Sequence, residues 1–333
     1  MLVSVVMPVY NGEKYIAEAI ESILDQSFKD FELLIINDAS TDNTVSIIKK
    51  YNDTRIRLIH NDENLGLARV RNIGIENAEG KYIAWLDADD ISVNTRLEKQ
   101  VLLLEKNPDV GLCGTWVKTI GAVEHVWQYP TISKTIKSVM LFDNTFATSS
   151  VMLRKEILYS HNIRFNVDYP PAEDYDLWEN ISLHTEVVNI PKVLTLYRLH
   201  PAQTTSSDDA KVKQLKSAWA IQKRILSYLD IDPDEKEKKL HIGIGLQYNF
   251  TYNNDEVKEV NEWLHRLYFA NLEYHKFDHH AFAKTLTKSL YNVYSASSCK
   301  GLNPLKSFSK ASFYRLTVSN LYLLVKLSIK KYK

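Results

Sequence analysis

Lys81-Tyr-Ile-Ala-Trp-Leu-Asp-Ala-Asp-Asp90 passes from apolar to acidic without a break. Tyr82 to Leu86 is apolar and aromatic with no polar alternation, the pattern of a strand buried on both faces. Three carboxylates follow at once: Asp87, Asp89 and Asp90. Residues two apart on an extended segment point the same way, so Asp87 and Asp89 face one spot. Two carboxylates aimed at one spot repel unless something positive lies between them. A hard divalent cation meets that need, because magnesium takes one or two carboxylates together with substrate phosphate oxygens. Alone, the stretch reads equally as an acidic loop closing a strand, so the flanking sequence has to decide.

Upstream, strand and helix patterns alternate. Leu2 to Met7 is a β-rich run stopped by Pro8 and the turn Asn11-Gly12. Between Glu13 and Gln26, Ile16, Ala19, Ile20, Ile23 and Leu24 recur at helical spacing. Phe31 to Ile36 is a second buried strand, ended by Asn37-Asp38-Ala-Ser-Thr-Asp42, where Ser40 or Thr41 is placed to cap a helix carrying Val45, Ile47 and Ile48. Ile56 to Ile59 is a third strand, followed by Asn61 to Gly66 and a helix with Ala68, Val70, Ile73 and Ile75. This alternation predicts an α/β fold, a mostly parallel sheet with helices on both faces. Ligands of such sheets bind beyond the carboxyl ends of the strands. The polar clusters Pro8–Glu13, Asn37–Asp42 and Asp87–Asp90 are therefore expected to converge on one rim.

Downstream, the pattern predicts a helix over Leu97–Leu104, a strand over Val110–Val117, a helix over Ser133–Phe142 and a short strand over Ser150–Leu153. Pro170-Pro171 breaks the chain before Glu173-Asp174-Tyr175-Asp176-Leu177-Trp178, which opens another helix. Val193–Leu199 is the last strand, and His200-Pro201-Ala-Gln203-Thr204-Thr205 follows. We place a boundary in the polar link after it, giving a catalytic domain at 1–207 and an all-helical C-terminal region at 208–333. Lys211–Leu229, Glu256–Phe269 and Phe277–Tyr294 carry the helical spacing there, with Asp230–Lys239 as a charged connector.

At 333 residues the chain is long enough for two units of ordinary size, ~100–200 residues each. Apolar content of 45% and charged content of 25% are those of a globular protein. The net charge of zero gives no general pull toward nucleic acid, and no nucleic-acid partner is expected. It conceals a basic end, since ten Lys or Arg and no acid follow Asp278. Two cysteines, Cys113 and Cys299, make no disulfide framework and point to a reducing compartment. Leu2 to Met7 has neither the basic lead nor the cleavage site of a signal peptide, and no apolar run reaches the ~20 residues of a membrane span. A cytoplasmic protein is expected.

Val3-Ser-Val-Val-Met-Pro-Val-Tyr-Asn-Gly12, Asn37-Asp38-Ala-Ser-Thr-Asp42, Asn64-Leu-Gly-Leu-Ala-Arg69 and Leu86-Asp-Ala-Asp-Asp90 together resemble the family 2 glycosyltransferases of the GT-A fold. Glu173-Asp174 and Tyr197-Arg-Leu-His200 match later motifs of that family in the same order. The resemblance covers roughly residues 3 to 205 and implies a nucleotide-sugar donor, a divalent cation (Mn2+ or Mg2+) and inverting transfer to an acceptor hydroxyl. It implies that Asp89 ligates the metal, that Asp87 reaches the ribose, or the metal through water, with Ala88 beside it on the donor, and that Asp90 supports the turn or contacts the donor. By the same token Asp38 binds the uracil ring, Pro8, Val9 and Tyr10 floor the nucleotide, and Glu13 lies near the ribose. Asn64 precedes a helix from which Arg69 or Arg71 reaches the donor. His200 meets the metal or the diphosphate, with Gln203 and Thr204 on a closing loop. Asp174 is the general base.

Several of these residues have plainer readings. Asp38 suits an Asx turn. Glu173, Asp174 and Asp176 suit the first turn of any helix, where the macrodipole favours acids. Trp85 reads as core and Trp178 as an acceptor-site candidate, a turn beyond Asp174. Two other function classes compete with this reading. A nucleotidyltransferase would present a basic, glycine-rich loop after the first strand, whereas Pro8–Glu13 holds no cation. A nucleotide-sugar-binding module without turnover would need neither Asp89 nor Asp174. The acceptor is expected to be a saccharide or lipid-linked saccharide of surface polysaccharide assembly (capsule, exopolysaccharide or O-antigen). The basic Ser312–Lys333 tail packs on the catalytic domain, on a second copy in a homo-oligomer, or peripherally on an anionic membrane.

Overall fold

The computed structural model describes residues 1–201, 203, 207–245 and 252–296. Cys299, Thr204, Thr205 and the basic tail lie outside the described residues. In chain order the sheet region runs β1 (Val3–Val9), α1 (Ile16–Leu24), β2 (Phe31–Asn37), α2 (Thr44–Ile48), β3 (Ile56–His60), α3 (Leu67–Asn77), β4 (Tyr82–Trp85) and β5 (Ile91–Ser92). It continues with α4 (Arg96–Lys106), β6 (Val110–Gly121), β7 (Val126–Trp127), α5 (Ser133–Val139), β8 (Met152–Arg154), α6 (Lys155–Ser160), α7 (Glu173–Ser182) and β9 (Glu186–Leu199). Then come α8 (Asp208–Ser227), α9 (Glu235–Gly245), α10 (Asn254–Tyr274) and α11 (His279–Ala296).

Every residue of β1, β2 and β4 is buried, which is why their sequences read as mainly apolar runs; the exceptions are Asn37 at the end of β2 and Ser4 and Glu32, which pair with each other. The strands order as β3-β2-β1-β4-β8-β6-β9-β5, with β7 on β6. The first four are parallel, in register from Val3↔Phe31 to Val9↔Asn37 and from Val3↔Tyr82 to Val6↔Trp85. β8 then enters antiparallel to both β4 and β6, so the sheet is mixed beyond β4. Pro8 has no N–H to donate, but it sits beyond the last β1–β4 pair, where the ladder has already ended. β9 starts seven residues before the predicted Val193 because Pro191 does not break it. The register jumps from Ile190↔Thr115 to Val193↔Trp116, a bulge that absorbs the proline. The expected cap of α2 by Ser40 or Thr41 is not made; Asp42 Oδ1 accepts from Thr44 N instead, at 3.0 Å.

α3 lies close against the sheet at Gly74. A Cβ there would stand 2.3 Å from Val6 Cγ1 and 3.1 Å from Ile36 Cδ1, so only glycine fits. Arg71 shares this buried face with Gly74 and Ile75, three and four positions on, while Arg69 points outward.

The chain divides into two compact units, Met1–Ile136 with Asn144–Ala218, and Lys137–Asp143 with the chain from Trp219. In the second unit the charged segment predicted as a connector contributes the start of α9. α10 opens with a reciprocal capping box between Asn253 and Glu256. At its centre His241 is fully buried, donating Nε2–H to Leu141 O (2.8 Å) and accepting Trp263 Nε1–H at Nδ1 (3.2 Å). Burial holds this imidazole down at about 4. Among the described residues no helix is long and apolar enough to cross a membrane.

Candidate active site

The loops after β1 and β2 are laced together. Asn11 N donates to Ser40 Oγ (2.9 Å), Gly12 N to Thr44 Oγ1 (2.8 Å) and Glu13 N to Asp42 Oδ2 (3.0 Å). The Glu13 carboxylate accepts from Asn43 N and Nδ2 at 2.9 and 2.7 Å, anchoring the start of α2. Pro8 and Val9 are buried in β1, so Tyr10, 53% exposed, is the part of the expected nucleotide floor that a ligand reaches. Asp38 turns toward the segment before α3. Its carboxylate accepts from Asn61 Nδ2 (2.8 Å), Leu65 N (2.9 Å) and Gly66 N (3.0 Å). Gly66, with φ at +82°, makes that approach. Asn64 is exposed beside it, its Nδ2 3.4 Å from Asp38 O.

The acidic turn after β4 is clamped from the far side of the sheet. Arg198 of β9 donates N–H to Asp90 Oδ1 (2.8 Å) and Nε–H to Asp89 O (2.9 Å), and Arg198 Nη2 reaches Glu18 at 2.5 Å. Asp87 N donates to Ser149 Oγ at 3.0 Å, and Ala88 is half-buried between the two acids. His200 Nε2 lies 2.9 Å from Asp89 Oδ2, its ring 4.8 Å from that of Tyr15. Burial, and next the charge of Asp87, push the Asp89 carboxyl above its ordinary range despite His200. Asp90 is driven well above it, by burial first and then by the charges of Asp89 and Asp87.

The second half of the site sits on α7. Asp174 Oδ2 accepts from Asn144 Nδ2 (3.1 Å) and Thr148 Oγ1 (3.0 Å), and Oδ1 from Tyr175 N (2.7 Å). Burial raises this carboxyl while the positive charge of Arg71 and those three donors oppose the rise. Unlike its buried neighbours on either side, Asp174 keeps partial exposure. Arg71, 3% exposed, joins the two halves: Nη2 donates to Asp87 at 3.0 and 3.3 Å, and Nη1 to Glu173 Oε1 at 2.9 Å.

The structure thus brings Arg71, Asp87, Asp89, His200 and Asp174 into one region and leaves Arg69 exposed on the other side of α3. Several participants were not singled out from sequence: Arg198, Asn144, Thr148 and, above all, Glu173, which read as a first-turn acid favoured by the helix dipole. The clue for Arg71 was its spacing on the apolar face of α3. Trp178 is a correction. It is wholly buried against Phe146 and Phe165, so it is core and offers nothing to an acceptor. Trp85 is core as expected. Tyr197 is a further participant: burial and then the charges of Asp90, Asp87, Asp89 and Asp174 keep its phenol protonated, and its ring lies 5.1 Å from that of Trp127.

Asp89 and His200 fit a divalent cation. Both donors meet at one point, and a cation there would offset the burial, and next the Asp87 charge, that lift Asp89. Among the described residues no three His, Cys, Asp or Glu side chains form a closed cage. Two protein donors leave the remaining positions to phosphate oxygens and water.

A sequence model of the family described as Glycosyl transferase family 2 matches residues 4–161. An uncharacterized glycosyltransferase of Haemophilus influenzae is 38% identical over 240 residues, 68% of this chain and 74% of that protein. The UDP-Glc:alpha-D-GlcNAc-diphosphoundecaprenol beta-1,3-glucosyltransferase WfgD of Escherichia coli is 31% identical over 222 residues, 66% of this chain and 85% of that protein. Among solved structures, S. aureus TarS 1-349 in complex with UDP-GlcNAc matches with a TM-score of 0.57 at 19% identity, covering 89% of this chain and 91% of that one, a likeness of fold. With its motifs in order along a parallel sheet that turns mixed after β4, the chain belongs to the family 2 glycosyltransferases and has their GT-A-like fold.

Proposed function

We propose that this chain is an inverting glycosyltransferase that moves a sugar from a UDP-sugar to the hydroxyl of a saccharide or lipid-linked saccharide during surface polysaccharide assembly. The observation that carries the reading is the Arg71 bridge. It ties the donor-side turn at Asp87 to the helix of Asp174 through Glu173, 102 positions from Arg71, as a displacement needs donor and base at one place. The reaction for which WfgD is named and the nucleotide-sugar complex of TarS support the donor and acceptor classes.

In this reading residues 1–207 are the catalytic domain and 208–333 a helical region. Tyr10 offers its open face to the nucleotide, with Pro8 and Val9 beneath it and Glu13, Asn43 and Asp42 bracing the loop. Asp38 reaches the base through its hold on the Asn61–Gly66 segment. Asp89 and His200 hold Mn2+ or Mg2+, which when bound supplies Lewis-acid stabilisation to the leaving diphosphate. Asp87 and Ala88 line the donor beside it. Asp174 takes the acceptor's proton. Its three hydrogen-bond donors fix the carboxylate's orientation: Oδ2 accepts two of them and Oδ1 one, so Oδ1 keeps a lone pair for that proton. The basic tail places the enzyme on the cytoplasmic membrane face, beside lipid-linked acceptors.

The test is a thermal-shift screen of nucleotide-sugars with Mn2+ or Mg2+, followed by transfer to a polyprenyl-diphosphate-linked sugar. UDP-sugars should raise the melting temperature more than GDP- or CMP-sugars and should be consumed. Equal shifts from all nucleotides, or binding without hydrolysis or transfer, would overturn the proposal.

A further inference from the structure

We propose that Arg71 is a positioning residue that sets the basicity and placement of Asp174 while holding Asp87 on the donor side, so that one buried guanidinium serves both halves of the reaction. This rests on the reading of Asp174 as the general base. The geometry carries it. Arg71 is sealed on α3, its guanidinium lies over the Phe165 ring at 5.4 Å, and its two terminal nitrogens go to different partners, Asp87 and Glu173. The next residue, Asn72, fixes the same face with a reciprocal pair to Phe165, Nδ2 to O at 2.9 Å and N to Oδ1 at 2.9 Å. Arg71 Nε and Glu173 Oε2 are buried without a hydrogen-bond partner among the described residues, so the cluster is held by these few directed bonds.

A fork shared between two carboxylates fixes their separation, which a lysine on a flexible stem does not. Glu173 precedes Asp174 on the first turn of α7, so the bond that holds Glu173 also sets where Asp174 begins. Arg71 further acts on Asp174 through space. The charged and titratable groups that share the surroundings of Asp174 are Arg71 from α3, Glu173 from α7, Asp87 from the acidic turn and Tyr197 from β9. Arg71 is the single cation among them. Its charge favours the ionised carboxylate, and Glu173 disfavours it.

A pH profile of kcat separates this from a merely structural role. Hydrolysis of UDP-glucose or UDP-N-acetylglucosamine, whichever the enzyme consumes, is followed at saturating donor and fixed Mn2+. Arg71→Met should move the acid limb up by about one pH unit, because the cation that keeps Asp174 ionised is gone. Glu173→Gln should move it down, because a competing carboxylate is gone. Arg71→Lys keeps the charge and loses the fork, so kcat should fall about tenfold with the limb in place. UDP affinity by calorimetry should weaken in Arg71→Met, through Asp87, and hold in Glu173→Gln. An unmoved limb in Arg71→Met, or shifts of the same sign in both charge-removing variants, would overturn the inference. Should Arg71→Met fail to fold, an unmoved limb in Glu173→Gln overturns it. Full activity in Asp174→Asn would instead sink the underlying assignment of the base.

Discussion

His241 and the pair Arg71–Glu173 are buried to the same degree, yet the molecule treats them differently. In the helical unit both nitrogens of His241 are paired, the ring is stacked on Phe142 at 4.8 Å, and the imidazole is kept neutral. In the sheet unit Arg71 stays charged, and it and Glu173 each keep a polar atom without a hydrogen-bond partner among the described residues. Unpaired buried polar atoms cost about 1–3 kcal/mol each, a cost that Arg71 and Glu173 carry and His241 does not. On the proposed reading, the contrast is between a polar group buried to hold the fold, His241, and a pair buried to position reacting carboxylates, Arg71 and Glu173.

That contrast breaks if the wrong property fails. The largest effect is expected from Asp174→Asn, which should lower kcat by about 10²–10⁴-fold while UDP affinity and melting temperature stay near the parent's. An unfolded Asp174→Asn would make this carboxylate a structural group like His241. Next is pH. The folded pKa of His241, about 4, lies below its ordinary 6.5, so the unfolded chain takes up the proton first. The stabilisation is complete above 6.5 and is lost as pH falls toward 4, on the order of 3 kcal/mol in all. Denaturation measured across that window should show the slope in the parent and a shallower one in His241→Phe. Equal slopes would contradict the assignment. Asp89→Asn is expected to weaken Mn2+-dependent UDP binding by about 10–100-fold with little change in stability. The smallest effect belongs to Trp263→Phe, which removes the hydrogen bond to His241 Nδ1. It should cost about 1 kcal/mol and leave donor affinity alone; a change in UDP binding there would dissolve the distinction.

The parallel half of the sheet was legible in sequence because its strands are long, apolar and separated by helices of clear period. Pro8–Glu13, Asn37–Asp42 and Asp87–Asp90 could be placed at strand ends on that ground alone. β8 was less legible, since three residues give no period and its antiparallel direction depends on partners elsewhere. The start of β9 was placed late, at Val193, because the bulge that lets the strand run through Pro191 belongs to the pairing with β6, not to the segment. Glu173 and Trp178 were misjudged for a similar reason. A local pattern places an acid in a helix's first turn and a tryptophan one turn on, but only distant partners show that the acid meets Arg71 and the tryptophan meets Phe165.

Gly74 touches no candidate ligand position, but it works as a gauge block for the chemistry. It sets the clearance between α3 and β1, and Arg71 is mounted on the same face less than one turn away. Any side chain there would lift the helix by about 1 Å, and the guanidinium with it. A displacement of that size in a reacting assembly can cost ~10²-fold in rate. Tolerance to mutation along α3 should therefore follow clearance from the sheet, not distance from the substrate.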